Sequence, residues 1–237
     1  MVHDVDSTII ESNLEAMAQV DLELIIEAIR SREHELSIYA DGVRKFFLEH
    51  PKLTTGSFPI VHSVKHRMKN YDHLREKLNR KISDGRSITP DTVLKEITDI
   101  GGVRVLHLYQ EQLTLIHNVI VEREKSKDWV LDETPKAYTW DPESVNYMEK
   151  LGLNVKQKDS FYTSVHYVVR PREGSDIACE IQVRTLFEEI WGEIDHTLNY
   201  PNPTESVPCR EQLLVLAKLI GAGSRLVDSL FRTLENK

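Results

Sequence analysis

The sequence predicts an α/β fold: a mixed sheet of about five strands flanked by helices, with helical extensions at the N- and C-terminal ends. Three observations carry this expectation. Period-two alternation flanks a Pro/Gly turn between Ser160 and Thr185, helical spacing of apolar residues fills both ends of the chain, and between them apolar runs alternate with amphipathic segments.

At 237 residues and 40% hydrophobic content the chain can bury one substantial core, and no linker-like stretch divides it into comparable halves. A net charge of −8 lacks the global basic footprint of a general nucleic-acid binder, although a local basic cluster could still hold a small anion. Cys179 and Cys209 fit neither a disulfide framework nor a metal-ligand spacing and read as reduced thiols, which suits the cytoplasm. The N-terminal residues lack the basic start and apolar run of a signal peptide, and the apolar tract at Leu213 to Leu219 is interrupted by Lys218, so no membrane span is expected.

From Ser12 to Arg30 the spacing of Leu14, Ala18, Leu22, Ile25 and Ile29 predicts a helix, and Leu36, Tyr39, Val43 and Phe47 continue the pattern up to Pro51. A short apolar stretch, 58–64, leads into a dense basic run: Lys65, Arg67, Lys69, Arg75, Lys77, Arg80 and Lys81. Within it Asn70 is placed to cap a helix with Leu74 and Leu78 inward. Such a run is commonly a solvated helix face, yet in a chain of net negative charge it is also the best place to hold a polyphosphate. His62, His66 and His73 lack a further ligand of persuasive spacing and do not read as a metal cluster.

Thr89-Pro90-Asp91 starts a short helix ending at Thr98. The stretch DIGGVRVLHLY then reads as a turn into a buried strand, with Asp99 at its mouth and Arg104 inside, where a charge needs a partner or ligand. Its Gly pair is not a Walker motif, which requires a downstream Gly-Lys-Ser/Thr. Residues 111–123 are helical by the spacing of Leu113, Ile116 and Ile120, 129–131 form a short strand, and Asp141-Pro142-Glu143 opens a helix that Gly152 stops.

The segment 160–185 reads as a β-hairpin with one chemically loaded face: Tyr162, Ser164 and His166 on the first strand, Glu180, Gln182 and Arg184 on the second. With the turn centred near Glu173, His166 lies opposite Glu180, Ser164 opposite Gln182 and Tyr162 opposite Arg184. Taken alone, the alternation fits a wet sheet face equally well. Leu186, Ile190 and Ile194 then suggest the inner stripe of a helix that Pro201 and Pro203 break. A last helix from about Arg210 carries Leu213, Leu216, Ile220, Leu226, Val227 and Leu230.

Five segments in order resemble the synthetase domain of the RelA/SpoT family, in particular its stand-alone small alarmone synthetases. They are R-M-K with a later K-x-x-R (Arg67, Lys69, Lys77, Arg80), D-I-G-G-V-R (Asp99, Arg104), Y-T-S-V-H (Tyr162, Ser164, His166), E-I-Q-V-R-T (Glu180, Gln182, Arg184) and W-G-E-I-D-H-x-L-N-Y (Trp191, His196, Tyr200). The resemblance covers residues 58–200 as a nucleotidyltransferase-like synthetase core, with 1–57 as an N-terminal helical extension and 201–237 as a C-terminal helix. It implies transfer of the β,γ-pyrophosphoryl group of ATP to the ribose 3′-hydroxyl of GDP or GTP, giving (p)ppGpp and AMP, with Mg²⁺ as cofactor. By the same resemblance Arg67 and Arg104 hold adenine, Lys69, Lys77 and Arg80 hold the ATP phosphates, and Asp99 and Glu180 are the catalytic and metal-facing carboxylates. Tyr162, His166, Gln182 and Arg184 form the acceptor side.

The chain departs from the family pattern at Phe161-Tyr162-Thr163-Ser164, where Gly-Tyr-Arg-Ser is common, and at His73, Asp195 and Pro201. These departures bear on the acceptor, since wider relatives use adenosine nucleotides or the 3′ end of tRNA. A catalytically silent nucleotide-binding module is a further alternative, which the intact Asp99 and Glu180 oppose. The family's hydrolase activity needs a His-Asp metal domain; the His3-Asp4 pair is an unpromising stand-in, so synthesis without hydrolysis is expected. Stand-alone relatives assemble, and the terminal amphipathic helices make a homo-oligomer plausible.

Overall fold

The computed structural model describes residues 21–56, 58–158, 160–200 and 202–235. Leu14, Ala18 and the His3-Asp4 pair lie outside the described residues. The chain runs α1 (21–31), α2 (Glu33–Glu49), α3 (Pro51–Thr54), β1 (Ser63–Met68), α4 (Tyr71–Ser83), α5 (Val93–Glu96), β2 (Gly101–His107), α6 (Gln112–Lys125) and β3 (Val130–Leu131). It continues through β4 (Lys136–Thr139), α7 (Pro142–Lys150), β5 (Asn154–Gln157), β6 (Ser164–Arg170), β7 (Cys179–Thr185), α8 (Leu186–Asn199) and α9 (Val207–Glu235).

The mixed sheet has seven strands where about five were expected, in the order β1-β2-β7-β6-β4-β5 with β3 on β6. The central β2–β7 pair is parallel; β1–β2, β7–β6 and β6–β4 are antiparallel. Alternation does the folding work. Val103, Val105, Val165, Tyr167, Ile181 and Val183 face one side and pack with Val43 and Phe47 of α2 and Ile116 and Ile120 of α6 in the main core. A second cluster joins Ile26 and Ile29 of α1 to Leu74 and Leu78 of α4 and to Val93, Ile97 and Ile100. The Gly pair proves to be strand rather than turn. A Cβ on Gly101 would stand 3.4 Å from the Ala40 Cβ, so the glycine lets α2 settle closely on β2.

Helix starts obey local chemistry. Asn70 caps α4 by accepting from the Asp72 amide at 2.7 Å, as expected, and Thr185 is at once the last residue of β7 and the N-cap of α8, in a capping box with Glu188. With no loop intervening, the strand's final side chains and the first turn of α8 are held against each other.

Three expectations are corrected. The β6–β7 register is shifted by two residues: His166 pairs with Gln182 and Val168 with Glu180. The cause is the connection, an eight-residue loop instead of a tight turn, gathered by the buried Arg170, which donates to the Ser175 and Asp176 carbonyls and grips Asp132. Because the shift is even, the loaded face survives. Second, Ile190 and Ile194 are 53% and 37% exposed; Trp191 is the apolar anchor of α8, packed with Ala217 and Ile220 of α9. Third, Leu226 and Leu230 point outward, and the inner face of α9 there carries the buried polar residues Ser224 and Asp228. Asp228 accepts from the Glu111 amide.

Candidate active site

On the face of the sheet opposite the main core, ladder partners line up in two rows. Lys65, Arg104, Gln182, His166 and Lys136 form one, running from β1 to β4; Arg67, Gly102, Glu180 and Val168 form the other. Over them opens a cleft of about 270 Å³, lined by Lys65, His66, Arg67, Asp99, Gly102, Val103, Arg104, Glu180, Gln182 and Glu193. Gly102 supplies its floor, bringing backbone rather than side chain to the surface next to Glu180.

At the β1–β2 side lies a basic group. Lys69, just past β1, donates to Asp99 Oδ2 at 2.6 Å, and Lys77 of α4 stands 2.8 Å from the same oxygen. Burial alone would push the Asp99 carboxyl up, but Lys77 and Lys69 together outweigh it and hold it at about 2. Its other oxygen, Oδ1, is buried without a hydrogen-bond partner among the described residues. Arg104 Nη1 is held by Glu189 at 2.8 Å and by Glu193 at 2.6 Å. Arg67 is exposed at the mouth, and Arg80 is exposed in the last turn of α4, outside the residues lining the cleft.

At the β6–β7 side a polar relay ends on Glu180. Tyr162 Oη is 3.0 Å from His166 Nε2, His166 Nδ1 is 3.1 Å from Glu180 Oε1, and Gln182 Nε2 donates to Glu180 Oε2 at 2.7 Å. If the imidazole is neutral and donates from Nδ1, the tyrosine hydroxyl donates to Nε2. Burial opposes the Glu180 charge, yet His166 holds its carboxyl below the ordinary value, helped by Gln182 and countered by Asp99. The expected polar face therefore exists, though Tyr162 precedes β6. Arg184 stays on that face but is buried there: its guanidinium carbon sits 6.0 Å from the Tyr162 ring centroid and it pairs with Glu189.

Sequence reasoning brought together Asp99, Lys69, Lys77, Arg104, Glu180, Gln182, His166 and Tyr162. It missed Glu189 and Glu193, because the apolar spacing of Leu186, Ile190 and Ile194 put the inner face of α8 on the wrong side. It also missed Tyr138, whose ring lies 5.0 Å from that of His166, because β4 is too short to show alternation. The Glu188-Glu189 pair in the first turn of α8, where a helix dipole favours anions, was the available signal.

Among the described residues, no group of three or more His, Cys, Asp or Glu side chains is placed to hold a metal. Asp99 and Glu180 suit a different arrangement, in which a hard cation takes one or two carboxylates and fills its remaining positions with substrate phosphate and water. The unpartnered Asp99 Oδ1 fits that role.

An open mixed sheet whose polar cleft carries two carboxylates, Asp99 against Lys69 and Lys77 and Glu180 against His166 and Gln182, places the domain in the α/β class. The chain belongs to the RelA/SpoT family: the model of the region found in RelA and SpoT proteins matches residues 66–205. It is 28% identical over 153 residues to the GTP pyrophosphokinase YwaC of Bacillus subtilis (strain 168), a match that spans 62% of each chain. The fold is shared with a GTP pyrophosphokinase family protein from Streptococcus pneumoniae (TM-score 0.65, 20% identity, 89% of this chain and 94% of that one). It is also shared with the small alarmone synthetase 1 of Bacillus subtilis bound to its product pppGpp (TM-score 0.55, 23% identity, 88% and 94%).

Proposed function

We propose that the protein is a (p)ppGpp synthetase that moves the β,γ-pyrophosphoryl group of ATP onto the ribose 3′-hydroxyl of GDP or GTP. The acceptor oxygen forms a bond to the β-phosphorus, the bond from that phosphorus to the oxygen bridging the α-phosphate breaks, and AMP leaves with the bridging oxygen. The observation that carries this reading is the position of Glu180. It lies one strand from Gly102 in the cleft floor, with the basic group on one side and the Tyr162–His166 relay on the other.

Phosphoryl-type transfer asks the protein chiefly for positioning and charge stabilisation. Arg67 and Arg104 hold the adenine ring of ATP, and Lys69, Lys77 and Arg80 take its phosphates. Tyr162, His166, Gln182 and Arg184 form the acceptor side, with the Arg184 guanidinium over the Tyr162 ring. Glu180 accepts the proton of the 3′-hydroxyl; an ionised carboxylate has lone pairs left after His166 and Gln182 are served. Asp99 and Glu180 would hold Mg²⁺, which, when bound, neutralises phosphate charge. The name of the curated relative and the product carried by the structural neighbour agree with these substrates.

The division into an N-terminal extension (1–57), core (58–200) and C-terminal helix (201–237) belongs to the same reading, as does a cytoplasmic location. Among the described residues no helix is long and apolar enough to cross a membrane. Assembly into a homo-oligomer is supported by the outward stripe Val215, Leu219, Leu226, Leu230 and Leu234 of α9.

The test is incubation of the pure protein with ATP, Mg²⁺ and GDP or GTP, followed by separation of nucleotides. AMP and the 3′-pyrophosphorylated product are expected in equal amounts. Folded protein that yields neither overturns the reading, and transfer to deacylated tRNA in place of GDP redirects it to the tRNA-modifying relatives.

A further inference from the structure

Glu189 has no part in the scheme above, yet it touches both halves of it. It follows Arg184 by five residues, the step that carries the chain from the end of β7 through the Thr185 cap into the first turn of α8. Its side chain is 7% exposed, and its two oxygens face opposite ways. Oε1 accepts from Arg104 Nη1 at 2.8 Å and from Lys65 Nζ at 3.2 Å, the neighbouring β1–β2 ladder partners in the basic group. Oε2 forms an ion pair with Arg184 Nη2 at 2.5 Å, a contact made by charge and proximity rather than by an aligned hydrogen bond, and the Arg184 guanidinium carbon stands over the Tyr162 ring, 6.0 Å from its centroid.

Taking a carboxylate and two guanidinium groups out of water is costly, and an apolar cluster of the same volume commonly stabilises a fold as well. What a carboxylate adds here is direction. A guanidinium fixed by a buried acceptor presents a defined plane to whatever stacks on it, whereas a long unpaired arginine loses rotamer freedom when a ligand arrives. Burial opposes the Glu189 charge, while Arg184 and Arg104 hold its carboxyl below the ordinary range, so the anion is maintained.

We infer that Glu189 is a positioning residue shared by the two nucleotides. Through Oε1 it sets the Arg104 plane for the adenine of ATP, and through Oε2 and Arg184 it sets the Tyr162 ring for the acceptor base. The inference rests on the nucleotide assignment proposed above.

The experiment is calorimetric titration of the full chain with the non-transferring analogue AMPCPP and, separately, with GDP, for the wild type and for Glu189→Gln. An amide has a single acceptor oxygen and turns an N–H group towards the second arginine, so it cannot serve both sides. Both affinities are expected to fall roughly tenfold, the size typical of losing a residue that orients a binding group. A strut with no positioning role would lower the melting temperature and leave both affinities of the folded protein unchanged. If Glu189→Gln does not fold, Glu189→Asp keeps the charge but not the span, and the same loss on both sides is expected. A folded variant that binds either nucleotide as the wild type does overturns the inference and leaves the functional reading standing. Wild-type protein that binds neither nucleotide overturns both.

Discussion

His166 Nδ1 lies 3.1 Å from Glu180 Oε1, across a diagonal of the β6–β7 ladder, and the far side of the same imidazole meets the Tyr162 hydroxyl at 3.0 Å. A carboxylate that is buried yet kept ionised by one neighbour depends on that neighbour. Glu180→Gln is expected to abolish pyrophosphate transfer with the fold retained. His166→Asn is expected to lower turnover about 10- to 100-fold, in keeping with the usual weight of general acid–base assistance. Its acidic limb should also move to higher pH, because burial then raises the Glu180 pKa with less opposition. An unmoved limb in a pH–rate profile would refute the link.

Asp99 should reveal itself at low pH. Its folded pKa of about 2 lies below the unfolded carboxylate value, so its pairing with Lys69 and Lys77 stabilises the protein above about pH 4. That stability is lost as the pH falls towards 2. Asp99→Asn is expected to abolish turnover and to cost about 2 kcal/mol at neutral pH. The gap between the two proteins in denaturant titrations should close between pH 4 and 2; a constant gap would count against the pairing.

Glu193, 61% exposed, pairs with the Arg104 guanidinium that, on the proposed reading, must turn its plane to adenine. An exposed ion pair is worth ~0.2–1 kcal/mol. Glu193→Gln is therefore expected to tighten binding of AMPCPP by up to about fivefold, read by calorimetry. Weaker binding would mean that Glu193 assists the nucleotide rather than competing with it.

Gly192 leaves room for a guanidinium. A Cβ there would stand 2.7 Å from Arg184 Nη1. Gly192→Ala should cost ~1–3 kcal/mol by overpacking, and raise the KM for the acceptor more than that for ATP, since Arg184 supports Tyr162. Equal effects on both substrates in steady-state kinetics would argue against this division.

Burial pushes the Glu188 carboxyl up to about 7 beneath α9, where it accepts from the Thr185 amide in the capping box. A folded pKa raised above the unfolded value penalises the fold progressively between about pH 4 and 7, as the unfolded chain ionises first. Glu188→Gln retains the capping geometry and should melt higher than the wild type at pH 8, with the advantage vanishing near pH 4.

The legible parts of this fold were those where local pattern and tertiary role agree. Asn70 announces α4, Asp141-Pro142 announces α7, and the alternation around His166 and Glu180 gave the right face. Strand register was not legible, because it depends on Arg170 gathering carbonyls in a loop whose length no alternation reveals. Nor were β4 and β5, whose four residues each are too few to show a period. The helix α8 misled because Ile190 and Ile194 point outward while Glu189 is buried along with Trp191. The departure at Phe161 has a physical meaning as well. Its φ of 59° lies in the left-handed region where glycine is at ease, and the ring packs edge-on to Trp140 at 5.3 Å, which offsets the strain.

Gly102 and Glu180 are partners across the parallel β2–β7 pair, so the offset of the Glu180 carboxylate from the open floor at Gly102 is set by the pitch of the sheet, about 4.8 Å from strand to strand. Residues 161–163, by contrast, stand outside the ladder altogether. On the proposed reading, a chain built this way can vary Phe161, Tyr162 and Thr163 without disturbing the ladder that fixes Glu180, so that choice of acceptor and chemistry are separable.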